Sequence, residues 1–252
     1  MIKLKLDGKI AWISISRPNA HNAINTEVLE KLAEYLEICA GKKIGSIVLR
    51  GEGNSFCSGA DLIEFKKFLK ERKFKHYSRL FNDVILKLRN MDKVVIVEAK
   101  GYVFGAGLSL LLASDYAIAS ENTIFSSGFA RIGLSPDTGS SFFLPRTVGF
   151  KKAFELMASA RNFDANEALS LGLINEVVEI DRLEDRTEEV AKLYAEIPNK
   201  VVHHIKQLLN VSLSNKLDEH LLLEEELILD TAKSKDFVEK LEEVIKRIKD
   251  KN

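Results

Sequence analysis

The sequence predicts an α/β fold in which parallel strands alternate with helices, followed by a helical C-terminal region. In the first half of the chain, short segments typical of strands are each followed by a segment whose apolar residues have helical spacing. Strands separated by helices favour parallel pairing through right-handed crossovers. From Gly149 onward the pattern is mainly helical. The chain has 252 residues, 46% of them apolar, which is enough for one main domain with a helical appendage.

The first half of the chain alternates strand and helix signals. Residues 1–8 alternate apolar and charged side chains, as a strand does, and a second strand over 9–16 ends at Arg17-Pro18. Asn25-Thr26 can cap a helix over 27–40, whose apolar residues share one face. The remaining segments are predicted in this order: a strand over 46–50, a helical stretch over 62–89, a strand over 94–99, a helix over 108–113, and strands over 115–119 and 123–125.

The second half contains further helix signals and one short strand. A turn sequence at 135–139 precedes a short helix predicted over 138–144. Asp164 fits an N-cap, and Glu167 completes a capping box for a helix over 165–171 that Gly172 ends. A strand over 174–178 then precedes three or four amphipathic helices, with Pro198 as the predicted boundary in the helical part.

Composition and charge argue against several classes of protein. Lys plus Arg number 37 and Asp plus Glu also number 37, whereas a nucleic-acid-binding protein normally carries a basic excess. Cys39 and Cys57 are the only cysteines, so the sequence predicts a reducing cytoplasm and no disulfide framework. No signal peptide or membrane span is visible. A metal site is not predicted, because the two thiols have no nearby histidine cluster.

Two turns of small residues precede predicted helices. They are Ser-Gly-Ala-Asp-Leu at 58–62 and Gly-Ala-Gly at 105–107. Each turn can present an unpaired backbone N–H, and two N–H groups that converge on one point form an oxyanion hole. The first turn, taken alone, is equally consistent with a simple strand–loop–helix junction. A dinucleotide site is not predicted, because the second turn lacks a third glycine and does not directly follow its strand.

Asp137 is the one obvious polar group that follows the second turn. It lies in Ser-Pro-Asp-Thr-Gly at 135–139, where it can act as an acid–base group. The same sequence suits a turn in which Asp137 caps the helix predicted over 138–144. Both roles stay open on these residues alone.

Several motifs in order resemble the crotonase family, also called the enoyl-CoA hydratase/isomerase family. They are Arg17-Pro18 with Asn-Ala-Ile-Asn at 22–25, Phe-Cys-Ser-Gly-Ala-Asp-Leu at 56–62, Gly101 with Gly-Ala-Gly at 105–107 and Ser114-Asp115, and Gly-Leu-Ser-Pro-Asp-Thr-Gly at 133–139 with Leu-Pro-Arg at 144–146. The resemblance covers nearly the whole chain.

The resemblance implies a crotonase-like spiral of ββα repeats with a C-terminal helical region. Residues 1–197 would form the acyl-CoA-binding core, and residues 198–252 a helical region for oligomerisation or for use as a lid. The implied ligand is an acyl-CoA thioester, with no cofactor beyond the coenzyme A of that substrate. The implied assembly is a homotrimer or a dimer of trimers, and no nucleic-acid or membrane partner is expected.

The resemblance also implies a site. The backbone N–H groups of Ala60 and Ala106 would hold the thioester oxygen, and Asp137 would be the catalytic side chain. The residues expected to bind the substrate or its CoA moiety are Ala23, Ser58, Ala60, Asp61, Leu62, Gly105, Leu108, Phe129 and Leu134.

Two positions depart from the pattern of the family hydratases. Those enzymes carry a glutamate in the helix after the second turn and another in the following loop, where this chain has Ser109 and Phe129. Some family isomerases place an aspartate at the position of Asp137, and one carboxylate suffices to move a proton between two carbons. An enoyl-CoA isomerase is therefore the favoured reading.

Other readings stay open. A hydratase would use Asp137, with or without Ser109, to handle water. A variant with Asp137 as a nucleophile, as in a related dehalogenase, has no obvious partner base. A relative that binds acyl-CoA or RNA without catalysis is also compatible with the two missing glutamates, although the neutral net charge disfavours RNA.

Overall fold

The computed structural model describes residues 1–41, 43–71 and 73–250. Contacts divide the chain into one unit over Met1–Glu196 and a second unit from Ile197 onward. The first unit is an α/β structure with two sheets, so the predicted fold class is confirmed. The second unit is helical.

The larger sheet is mostly parallel and the smaller one is mixed. In the described residues the strands are β1 (Ile2–Asp7), β2 (Ile10–Ile15), β3 (Ser46–Gly51), β4 (Val94–Ala99), β5 (Tyr102–Phe104), β6 (Tyr116–Ser120), β7 (Ile124–Ser126), β8 (Phe163–Asp164) and β9 (Glu176–Val178). The larger sheet has the order β1-β2-β3-β4-β6-β9, in which only β1 pairs antiparallel. The smaller sheet has the order β5-β7-β8. Strands β2 and β4 are buried at every residue, as expected for parallel strands covered on both faces.

The helices follow the predicted order with shifted ends. They are α1 (Thr26–Ala40), α2 (Leu62–Glu71), α3 (Phe74–Asn90), α4 (Ala106–Ala113), α5 (Ser140–Val148), α6 (Phe150–Ser159), α7 (Ala165–Ser170) and α8 (Leu183–Ala195) in the first unit, and α9 (Asn199–Val211), α10 (Leu217–Ala232) and α11 (Lys235–Lys249) in the second. The Asp164 side chain caps α7 as predicted, because it accepts the Glu167 N–H at 2.8 Å. The predicted capping box is not completed, because the Glu167 carboxylate binds Arg161 instead. No described helix is both long and apolar enough to cross a membrane.

The stretch over 62–89 is helical as predicted, and it forms two helices, α2 and α3. No glycine or proline marks the break in the sequence. The aromatic rings explain it: Phe65 of α2 packs edge-on against Phe74 and Tyr77 of α3, with ring centroids 4.9 and 5.1 Å apart. These contacts hold α2 against α3, and helical periodicity alone does not reveal them.

Helix α11 of the second unit carries a stripe of exposed apolar side chains. The stripe contains Leu241, Val244, Ile245 and Ile248, all exposed, and no residue of α11 is buried. A role of this region in oligomerisation or as a lid stays a prediction.

Repeated pairing between neighbouring turns of chain builds a spiral in the first unit. After β2, Ile24 pairs in parallel with Ala60, which follows β3. After β3, Cys57 pairs in parallel with Val103 of β5, which follows β4. Strand β5 then pairs in parallel with β7, which follows β6. Each repeat thus adds one strand to the large sheet and one short pairing beside it.

Helix α4 packs against the turn at Cys57, and this contact requires Gly107. A methyl group added at Gly107 would lie 2.4 Å from the carbonyl oxygen of Cys57 and 2.9 Å from its Cβ. Both distances are below van der Waals contact, so only glycine lets the two segments approach this closely.

We expect Gly107→Ala to lower the free energy of unfolding by about 1–3 kcal/mol, because α4 must move away from Cys57. Urea denaturation measures the change. Gly41→Ala is the matched control, because the φ of Gly41 is −81° and the nearest atoms to its added methyl lie 3.9 Å away. Equal stability of the two variants would contradict the close packing of α4.

Candidate active site

Strand register brings the two small-residue turns to the same level. The Cys57 N–H donates to the Tyr102 carbonyl, and the Phe104 N–H donates to the Cys57 carbonyl, both at 3.0 Å. Cys57 pairs with Val103. Ala60 lies three residues beyond Cys57, and Ala106 lies three residues beyond Val103. The two alanines are therefore neighbours: a methyl group added at Gly59 would lie 3.6 Å from the Ala106 nitrogen.

The N–H groups of these two alanines have no acceptor in the described part of the chain. The Ile24 N–H donates to the Gly59 carbonyl at 2.7 Å, and the Asp61 N–H donates to the Ile24 carbonyl at 2.8 Å. Because the N–H groups of successive residues in an extended segment point to opposite sides, the Ala60 N–H points away from Ile24. Ala106 begins α4, where the first N–H groups have no partner within the helix. Both residues line one cavity, so both N–H groups can donate to a ligand oxygen there.

Two glycines set the backbone direction at these donors. The φ of Gly59 is 104°, and Gly105 combines a φ of 50° with a ψ of −115°. Glycine adopts both conformations without the steric cost that other residues carry. A methyl group at Gly59 would in addition lie 3.0 Å from the Phe104 carbonyl oxygen. The glycines therefore allow the peptide groups of Ala60 and Ala106 to take the orientation that they have here.

The cavity between the turns has a volume of about 480 Å³. Of the residues predicted for the site, the structure places in its lining Ala23, Ser58, Ala60, Asp61, Leu62, Gly105, Ala106, Phe129, Leu134 and Asp137. Most of these side chains are small or apolar, which suits an acyl group. The described residues contain no cluster of three His, Cys, Asp or Glu side chains able to hold a metal ion.

Leu108 was predicted to line the pocket, and this prediction is wrong. Its side chain is 1% exposed and belongs to the hydrophobic core. Helix α4 begins at Ala106, two residues earlier than predicted, and is buried on nearly every face. Leu108 therefore packs inward, and only the first turn of the helix reaches the cavity.

Asp137 reaches the cavity with a half-buried side chain. It does not cap a helix: α5 begins at Ser140, its N-cap is Gly139, and no side chain bonds the helix start. The Ser140 N–H and hydroxyl instead donate to the Asp137 main-chain carbonyl at 3.0 and 2.9 Å. Burial raises the pKa of Asp137 above its ordinary value. The carboxylate is thus a stronger base than an exposed aspartate.

Asp61, the other carboxylate that lines the cavity, is bound by an arginine and by two backbone N–H groups. Arg17 Nη2 lies 2.7 Å from its Oδ2, and the N–H groups of Ile63 and Glu64 donate to its Oδ1 at 3.0 and 3.2 Å. Although burial acts to raise the pKa of Asp61, the hydrogen bond from Arg17 and those from the backbone lower it. A carboxylate held in this way is a poor base, so Asp61 fixes the loop beside Ala60.

Ser109 and Phe129 leave the two glutamate positions of the family hydratases without a carboxylate. The Ser109 side chain is fully buried and donates to the Gly105 carbonyl at 3.3 Å. The Thr138 hydroxyl donates to the Ser109 oxygen at 2.6 Å. Phe129 contributes an apolar wall of the cavity. Ser109 therefore belongs to a buried hydrogen-bond network, and it is not among the described residues that line the cavity.

Tyr77 and Thr138 also line the cavity, and the sequence motifs indicate no role for either of them. The Tyr77 hydroxyl donates at 2.8 Å to the Ile24 carbonyl, which also accepts the Asp61 N–H and so supports the Ala60 turn. Tyr77 lies on the apolar face of α3, and its spacing therefore indicates only packing. Thr138 has a φ of 53°, a conformation that costs a β-branched residue about 1–3 kcal/mol. No local signal in the sequence indicates that angle.

Comparison with known proteins supports the resemblance noted from the motifs. The family model described as enoyl-CoA hydratase/isomerase matches residues 5–249. A short-chain-enoyl-CoA hydratase from Clostridium acetobutylicum is 33% identical over 88% of this chain and 86% of its own length. A 1,2-epoxyphenylacetyl-CoA isomerase from Escherichia coli is 30% identical over 91% of this chain and 89% of its own length.

A solved structure extends the similarity to the fold. The crystal structure of an enoyl-CoA hydratase from Polaromonas sp. JS666 superposes with a TM-score of 0.94 at 27% identity, covering 98% of this chain and 97% of that one. The predicted crotonase-like fold is therefore confirmed. The chain belongs to the enoyl-CoA hydratase/isomerase family of enzymes.

Proposed function

We propose that the enzyme is an enoyl-CoA isomerase that moves a double bond along the acyl chain, with Asp137 as the proton carrier. One observation carries the proposal: among the described residues that line the cavity, Asp137 is the one carboxylate without an arginine partner. A proton shuttle needs a single base that can also return the proton, and Asp137 meets this requirement.

The proposed reaction has two proton transfers and no net change in composition. The Asp137 carboxylate removes a proton from C2 of a 3-enoyl thioester, and the electron pair moves onto the thioester oxygen as a dienolate. The N–H groups of Ala60 and Ala106 stabilise that negative charge. Neutral Asp137 then returns the proton to C4, which regenerates the thioester carbonyl and leaves a double bond between C2 and C3.

The cavity environment supports this chemistry. The apolar wall that includes Phe129 and Leu134 limits access of water to the dienolate, which reduces stray protonation. Partial burial keeps Asp137 a stronger base while it is ionised and eases its protonation during the transfer. The first turn of α4 adds partial positive charge near the thioester oxygen.

A second candidate is an enoyl-CoA hydratase, which the similarity to the Clostridium hydratase favours. Hydration requires a water to be activated while a proton reaches the neighbouring carbon, which two carboxylates do well. With Ser109 buried and Asp61 bound to Arg17, Asp137 would have to perform both tasks. Product analysis separates the two reactions, since only hydration yields a 3-hydroxyacyl-CoA from a 2-enoyl-CoA.

We expect Asp137→Asn to abolish double-bond migration, with at least a 10²-fold loss of kcat, because the amide cannot accept the proton. Affinity for the acyl-CoA should change little, because the oxyanion donors are backbone groups. Turnover of a 3-enoyl-CoA and calorimetric binding of a saturated acyl-CoA measure the two effects. Asp164→Asn is the matched control, since asparagine also caps α7. Undiminished turnover in Asp137→Asn would exclude the proposed role.

The rate should depend on pH through Asp137. The carboxylate must be ionised to accept the proton, so kcat/KM should fall as pH decreases through its pKa. Because burial raises that pKa, the midpoint of this acidic limb should lie above the ordinary aspartate value of 3.8. A pH series of initial rates measures it. A rate that stays constant down to pH 3.8 would show that no such group controls the reaction.

Removing one oxyanion donor should also lower the rate of catalysis. Ala106→Pro removes the N–H at the first position of α4, a position where a helix tolerates proline. We expect kcat to fall by roughly 10²–10³-fold. Ala106→Ser keeps the N–H and should retain most of the activity. Steady-state kinetics of both variants measures the effect, and thermal unfolding checks that each variant is folded. A folded Ala106→Pro variant that keeps wild-type kcat would show that the Ala106 N–H is not an oxyanion donor.

A further inference from the structure

A buried chain of hydroxyl groups connects the Asp137 loop to helix α4. The Thr138 hydroxyl donates to the Ser109 hydroxyl oxygen at 2.6 Å, and the Ser109 hydroxyl donates to the Gly105 carbonyl at 3.3 Å. Both side chains are nearly inaccessible, with Ser109 0% and Thr138 4% exposed. Water therefore competes little for these hydrogen bonds, and their geometry is well defined.

One end of the chain reaches the oxyanion donor directly. The Gly105 carbonyl and the Ala106 N–H belong to the same peptide group, so a hydrogen bond to that oxygen also polarises that N–H. Gly105 has a φ of 50° and a ψ of −115°, and its carbonyl also accepts the Ser109 N–H at 3.0 Å. Ser109 thus holds this peptide group through both its backbone and its side chain.

The other end of the chain reaches the proton carrier. Thr138 follows Asp137 directly in the chain, so the position of the Thr138 backbone fixes the backbone position of Asp137. The backbone of Thr138 stays in the left-handed region, with a φ of 53°, although threonine disfavours it. The hydrogen bond to Ser109 holds the Thr138 side chain toward α4, and this contact opposes relaxation of the strained backbone.

We propose that Ser109 and Thr138 are positioning residues that couple the proton carrier Asp137 to the oxyanion donor Ala106. This inference rests on the proposed role of Asp137 in proton transfer. The coupling fixes the Asp137 loop relative to the Ala106 peptide group, so that the proton carrier and the oxyanion donor keep a constant separation. Serine at position 109 thereby has a task that a glutamate directed into the cavity would not perform.

The test uses Ser109→Ala, Thr138→Val and the double variant. Ser109→Ala removes two neutral hydrogen bonds and Thr138→Val removes one of them, so we expect kcat for 3-enoyl-CoA isomerisation to fall about three- to tenfold, with KM changed less than about twofold. The double variant should resemble the single variants, because both break the same chain. Thr138→Ser keeps the hydroxyl group and should restore kcat.

A spectroscopic measurement reports on the oxyanion hole without turnover. A cinnamoyl-CoA thioester with an electron-donating ring substituent absorbs at longer wavelength when its carbonyl is polarised. We expect the wild-type enzyme to produce this shift on binding, and Ser109→Ala and Thr138→Val to reduce it. Thr138→Ser should preserve it.

Ser120 and Thr123 provide matched control variants. Their hydroxyl oxygens lie 3.1 Å apart, both side chains are buried, and neither lines the cavity. Ser120→Ala and Thr123→Val remove a similar buried hydroxyl interaction, and should leave kcat and the absorption shift unchanged. A loss of activity equal to that of the site variants would mean that any buried hydroxyl has the same effect, which would overturn the proposal.

The outcomes separate this inference from the proposed function. If the wild-type enzyme isomerises its substrate and both Ser109→Ala and Thr138→Val keep wild-type kcat and absorption shift, the coupling is wrong and the function stands. If the wild-type enzyme does not isomerise but Ser109→Ala still reduces the absorption shift, the proposed function is wrong and the link to Ala106 stands. Equal losses in Thr138→Val and Thr138→Ser would also overturn the coupling, because the hydroxyl would then be irrelevant.

Discussion

The parallel backbone pairing of Cys57 with Val103 is the interaction on which the rest of the site depends. It sets the register of two loops that follow different strands of the large sheet, and so places the N–H groups of Ala60 and Ala106 side by side. Strand pairing is stiff and its register is discrete, so the two donors keep their separation without a ligand. The close approach of α4, which Gly107 permits, holds the second donor against the first loop. Preorganised donors of this kind stabilise a developing oxyanion without a further cost of reorganisation.

The charges around the cavity divide into a structural pair and a reactive group. Arg17 and Asp61 neutralise each other and tie the N-terminal loop to the Ala60 turn. Asp137 has no cationic partner among the described residues, and burial makes its ionised form more basic. This difference in environment gives two aspartates in one cavity different tasks. It also accounts for the chemistry that we propose, since enolate stabilisation with one mobile proton moves a double bond and does not require an activated water.

Sequence motifs predicted the fold class, the N-cap at Asp164 and several residues that line the cavity, because these depend on local patterns and on short characteristic segments. The break between α2 and α3, the inward packing of Leu108 and the support of the Ala60 turn by Tyr77 were not predictable in this way. Each depends on contacts between residues far apart in sequence or in different elements. The same limit applies to Asp137, because its sequence segment suits a helix cap as well as an acid–base group. Only the start of α5 at Ser140 shows that Asp137 is not the cap.

The central claim is that one carboxylate carries a proton between two carbons of a thioester whose oxygen is held by backbone donors. The most direct measurement uses a 3-enoyl-CoA labelled with deuterium at C2 and follows the label through a single turnover by mass spectrometry and NMR. A single buried carrier predicts a 2-enoyl-CoA in which part of the deuterium has moved to C4. A product that carries deuterium at no position other than C2, or a 3-hydroxyacyl-CoA formed in place of the migrated double bond, would contradict the account.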